Sequence, residues 1–131
     1  MEKYMCKKIG DLVSYISQAI DYGLIQGDDA PAYINVLIKL QIKMADQGLQ
    51  LQVPDVSPGP DGDLLYVWEY GPHHLECEIH TDGTVEFFYK NRDTAVLWYL
   101  DAVISDPIPE KVFDLLLNYF TFTLGEVRGS H

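Results

Sequence analysis

Basic side chains are scarce: nine Lys and Arg stand against twenty Asp and Glu, leaving a formal charge of −11 over 131 residues. That balance argues against nucleic acid as a direct ligand. A phosphate backbone needs a clustered cationic footprint, whereas these cations are dispersed or sit near the N-terminus as Lys3, Lys7 and Lys8. A protein partner with a basic surface suits the charge better, although an acidic surface also keeps a small protein soluble without any further role. Cysteine is equally sparse. Cys6 and Cys77 form neither a CxxC pair nor a disulfide framework, which suits a reducing compartment and an expectation of cytoplasmic location. Long apolar runs are missing, since nothing approaches the roughly 18 residues that span a bilayer. The N-terminal stretch is interrupted by Ser14, Ser17, Gln18 and Asp21 and leads to no small-residue cleavage site, so neither a signal peptide nor a membrane span is expected.

The catalytic signatures are missing too. The chain contains no HExxH, P-loop or GxSxG, and no GxGxxG after a strand. His74-Leu75-Glu76 matches the HxE of zinc deaminases, but that chemistry also needs a PCxxC helix, which Cys6 and Cys77 cannot supply. No cofactor is implied.

What is present is enough for one domain with its own core, expected over residues 1–127. Arg128-Gly129-Ser130-His131 reads as the remnant of a purification tag. Over residues 2–22, Met5, Ile9, Leu12, Val13, Ile16 and Ile20 recur at helical spacing, with Gly10 as a weak point and Gly23 as a stop. Asp28 and Asp29 are capping candidates for a second helix with Pro31 in its first turn and Gly48 at its end. Its apolar set of Tyr33, Ile34, Leu37, Leu40, Ile42, Met44 and Ala45 is wider than one stripe. That width predicts a helix sandwiched between the first helix and a sheet, the two helices forming an antiparallel hairpin.

Residues 49–53 alternate like a strand, and the Pro- and Gly-rich residues 54–63 read as an irregular loop. Residues 64–89 read as a meander whose register can be chosen by keeping apolar side chains on one face. A four-residue turn over 71–74 opposes Tyr70 with Leu75, Trp68 with Cys77 and Tyr66 with Ile79. A three-residue Thr81-Asp82-Gly83 loop opposes Ile79 with Val85, Cys77 with Phe87 and Leu75 with Tyr89. After a turn at 91–94, the β-branched and aromatic content of 95–102 favours a fourth strand over a helix across 94–105. Val96, Trp98 and Leu100 would then face Tyr89, Phe87 and Val85. Pro107 and Pro109 lead into a final helix whose Val112, Phe113, Leu116, Leu117 and Phe120 pack on the sheet. The predicted fold is thus a two-layer α+β domain: an N-terminal helical hairpin, an antiparallel four-stranded meander with 49–53 as a candidate extra strand, and a C-terminal helix.

This register buries Cys77 and sends Glu69, Glu76, Glu78, His80 and Glu86 to the outer face, with His74 at its edge. Leu65, Val67, Phe88, Leu97, Tyr99 and Asp101 share that face. Carboxylates interleaved with aromatics suit an acidic docking surface, the aromatics anchoring and the charges orienting a partner. Glu69, Glu76, Glu78, Glu86, Phe88, Tyr99 and Asp101 are the expected contact residues. The expected function is a non-enzymatic binding protein of inhibitor, immunity or adaptor type. Self-association as a homodimer, or cover of the face by the first two helices, are the competing uses of it. A different class of reading is a metal-binding protein or metal-dependent hydrolase, using His74, Glu76, Glu78 and His80 spaced two apart on one strand.

Overall fold

The computed structural model describes residues 9–123; Cys6, the N-terminal lysines and residues 128–131 lie outside them. The elements in chain order are α1 (Ile9–Asp21), α2 (Ala30–Ala45), β1 (Leu49–Leu51), β2 (Asp55–Pro58), β3 (Leu64–Tyr70), β4 (His73–Ile79), β5 (Thr84–Asn91), β6 (Leu97–Val103), α3 (Glu110–Tyr119) and β7 (Thr121–Thr123). β2 to β6 form one antiparallel sheet in sequence order, and β1 pairs with β7 in a separate ribbon. The α+β class with antiparallel sheets is as the sequence predicts.

The main sheet has five strands rather than four, because residues 55–58, expected as loop, pair with β3. Proline explains both the omission and the outcome. A ring cannot donate to a central ladder, yet β2, preceded by Pro54 and ending on Pro58, is an edge strand that needs partners on one side only. Residues 49–53 do not extend this sheet; β1 joins the ribbon with β7 instead.

One sheet face carries the core. Tyr66, Trp68, Leu75, Cys77, Ile79, Val85, Phe87 and Tyr89 cluster with Leu12, Ile16 and Ala19 of α1, Tyr33, Leu37, Leu40 and Met44 of α2, and Val112, Leu116 and Phe120 at α3. Each fully buried large side chain there contributes about 1.5–3 kcal/mol of transfer free energy. The polar atoms of Trp68 and Tyr66 are satisfied. Trp68 Nε1 donates to the Gln52 carbonyl at 2.7 Å and the Tyr66 hydroxyl to the Tyr33 carbonyl at 2.8 Å.

α2 departs from its expected role. Its buried residues Ala30, Tyr33, Leu37, Leu40 and Met44 trace one stripe at spacings of three and four. Ala45 is exposed, and Ile38 and Ile42 stand 49% and 59% exposed, so the helix is not sandwiched. Asp29 occupies its N-cap position without a side-chain hydrogen bond, and Pro31 sits in its first turn as predicted.

Both outer hairpins slip by two residues from the predicted register. Gly71, at φ +56°, supplies the positive φ that a two-residue loop demands, so His73 and His74 are drawn into β4. Tyr66 therefore opposes Cys77, Trp68 opposes Leu75, and Tyr70, itself 52% exposed, opposes the buried His73. At the β5–β6 turn, the Asn91 side chain accepts from the amides of Asp93 and Thr94, and Asn91 closes the loop by donating to the Val96 carbonyl. Tyr89 then faces Trp98 and Phe87 faces Leu100, while Val96 precedes the strand and is exposed. The middle hairpin has the expected three-residue loop, with Gly83 at φ +90° and Ile79 opposite Val85. Because strand side chains alternate with a period of two, both slips keep each residue that stays in a strand on its predicted face while changing which residues are neighbours; Val96, outside β6, loses its place there.

Candidate functional site

The outer face of β4, β5 and β6 is ordered in rows by the observed pairing. One row runs Glu78, Glu86, Asp101; the next runs Glu76, Phe88, Tyr99. Three carboxylates thus stand directly opposite one another on adjacent strands, an arrangement that costs stability. Among the described residues, no Lys or Arg makes an ion pair with any of the three. Phe88 and Tyr99 pack as a tilted pair with ring centroids 5.0 Å apart, and Tyr99 is 72% exposed. Together with Glu76, Glu78 and Glu86 they line a shallow open depression.

All seven residues expected to contact a partner lie on this face. Their surroundings differ. Glu69 and Glu76 are committed to His74, whose Nδ1 lies 2.8 Å from Glu69 Oε1 and whose Nε2 lies 2.7 Å from Glu76 Oε2. Arg92, which sequence reasoning missed, adds a 3.2 Å bond from Nη2 to Glu69 Oε1. Two apolar members of the face are also less available than expected: Val67 is 4% exposed, lying between β2 and β4, and Leu65 is half-buried.

The four residues spaced along β4 as a metal set do not converge. Both nitrogens of His74 are engaged by carboxylates, one of which, Glu69, Arg92 also pairs with, which leaves no free donor there. Glu78 and His80 instead turn to Asp63, and the ligand atoms of these three lie within 4.8 Å of one another. Asp63 is 7% exposed and held on two sides: Oδ2 lies 2.8 Å from His80 Nδ1, and Oδ1 accepts from the Thr81 amide at 3.2 Å. His80 Nε2 faces Glu86 Oε2 at 3.6 Å.

The electrostatics follow from this geometry. The hydrogen bond to Asp63 raises the His80 pKa above its ordinary value, against the lowering effect of desolvation, with the charges of Asp63, Glu78 and Glu86 adding to the rise. Desolvation raises the Glu78 carboxyl; nearby His80 opposes that, and Glu86, Asp63 and Glu76 reinforce it. Cys77 is fully buried and its thiol is pushed well up by burial alone, so it is a core residue and no nucleophile.

The signal for Asp63 lay in the register. With the two-residue Gly71-Pro72 loop, residue 63 falls opposite residue 80, whereas the four-residue turn moves it out of line. No helix among the described residues is long and apolar enough to cross a membrane. Comparison with protein-family models, curated proteins and solved structures finds no match to this chain, so the functional reading rests on its own residues.

Proposed function

We propose that the protein is a binding module of inhibitor, immunity or adaptor type, whose β4–β6 outer face docks a basic segment of another protein. The observation that carries this reading is the row Glu78, Glu86, Asp101, which no Lys or Arg among the described residues pairs with, beside the exposed aromatic pair Phe88 and Tyr99. A fold gains nothing from opposing carboxylates, and such local conflicts are expected where function requires them. Lys or Arg side chains arriving from a partner would relieve the repulsion, while the aromatic pair offers area that costs little entropy to order.

The test compares baits immobilised at low salt in lysate of the native host: the unaltered chain, Tyr99→Ala, Asp101→Lys and, as a remote surface control, Ile42→Ala. The reading requires a basic protein held by the unaltered chain and by Ile42→Ala, lost from the other two and released as salt rises. Retention of the same proteins by all four baits, or of none at low salt, would sink it.

A further inference from the structure

We infer that Asp63, Glu78 and His80, with Glu86 facing them from β5, form a binding site for one divalent transition-metal ion of the zinc type. This inference shares Glu78 and Glu86 with the docking reading but needs no protein partner, and metal titration reads it separately from partner capture.

The donor set is more than a group of acids. An imidazole nitrogen among carboxylate oxygens suits zinc and neighbouring transition metals, whereas calcium and magnesium take oxygen throughout. The atoms are also nearly in place. Donors about 2.0–2.2 Å from one ion stand roughly 3–3.5 Å from each other. The three ligand atoms here lie within 4.8 Å of one another, and His80 Nδ1 lies 2.8 Å from Asp63 Oδ2. Small side-chain rotations would close the set.

Two further features point the same way. First, Glu86 faces His80 Nε2 at 3.6 Å, on the side of the ring where outer-shell carboxylates orient metal-bound histidines, which leaves Nδ1 to join Asp63 Oδ2 at the ion. The Thr81 amide fixes the other oxygen of Asp63, so the arrangement is anchored to the backbone of the 81–83 loop. Second, the chain leaves room for the Glu78 carboxylate. A Cβ on Gly59 would lie 3.1 Å from Glu78 Oε2 and 3.0 Å from Asp63 Cβ, closer than real contacts comfortably allow. Any larger residue there would crowd the oxygen the site uses.

The neighbouring cluster provides an internal contrast. Around His74, Arg92 already pairs with Glu69, and Glu69 and Glu76 hold the two ring nitrogens. Around His80, three carboxylates face one imidazole, and no Lys or Arg among the described residues pairs with them. A dication offsets two of those charges where a proton on His80 offsets one.

The experiment is calorimetric titration of the chelator-stripped full chain with zinc chloride and, separately, calcium chloride. The expected result is one zinc ion per chain, with calcium binding at least about tenfold weaker. His80→Ala and Glu78→Gln should each weaken zinc at least about tenfold, while His74→Ala leaves it unchanged. Thermal melts of each variant in chelator check folding. Should His80→Ala unfold, imidazole NMR of the unaltered chain replaces it, with zinc shifting the His80 resonances and not those of His73 or His74. Absence of stoichiometric zinc, equal affinity for calcium, or equal loss in His74→Ala would each overturn the site.

Discussion

Asp101→Asn removes one end of the carboxylate row and touches nothing else charged, so it measures what that row costs. Asp101 opposes Glu86 at a pair without direct backbone bonds between the two residues. The bonded pairs are the alternate ones, as the Asn91 amide to the Val96 carbonyl and the Ile104 amide to the Gly83 carbonyl establish. With the two charge centres about 6 Å apart in a high-dielectric surface setting, their repulsion is about 0.7 kcal/mol. A Debye length near 30 Å at 0.01 M salt leaves about 0.6 kcal/mol of it, and one near 8 Å at 0.15 M leaves about 0.3 kcal/mol. Asp101→Asn should therefore stabilise the protein, raising the melting temperature by about 2–3 °C at low salt and by about 1 °C at physiological salt. The assay is thermal and urea unfolding in chelator, repeated in a Glu86→Gln background. There the gain should vanish, because its only directly opposed partner has lost its charge. Destabilisation at low salt, or a gain that persists unchanged in high salt or in the Glu86→Gln background, would refute the row as described.

Two further outcomes follow from the core and the sheet edge. Tyr33 is 1% exposed and donates to the Gly62 carbonyl at 2.6 Å; burial, then Asp29 and Asp63, push its pKa up to about 12. An unfolded tyrosine releases its proton near 10, so between about pH 10 and 12 the folded state holds a proton the unfolded chain has lost. The stability this provides is complete below pH 10 and disappears as pH rises towards 12. Urea unfolding across that window should show a decline that Tyr33→Phe reduces; an identical decline in the variant would count against it. On β6 the even-numbered residues bond to β5 and the odd-numbered ones point their amides to the open edge, so Leu100→Pro should cost about 3 kcal/mol beyond Leu100→Ala. Tyr99→Pro should cost less than half that in the same unfolding assay, and equal costs would show the pairing to be reversed.

The sequence by itself determined the faces. Alternation along 64–103 put Trp68, Cys77 and Phe87 inside and Glu78, Glu86 and Tyr99 outside, and the apolar pairing selected the three-residue Thr81-Asp82-Gly83 loop, because burying one face penalises any odd-numbered slip. An even-numbered slip keeps the hydrophobic pattern intact, so periodicity is blind to it. Turn geometry at Gly71 and the Asn91 side-chain bonds made that choice in the folded chain. On that choice depends the site itself. The predicted register set Glu78 against Val67, Glu86 against Tyr99 and Phe88 against Leu97. The observed one sets Glu86 against Asp101 and Phe88 against Tyr99, and brings Asp63 to His80. The edge strand β2 and the β1–β7 ribbon likewise depend on which edge is open, which is a property of the assembled sheet. The chemistry of the outer face was legible along the chain; which of its groups meet was decided by the turns that close the sheet.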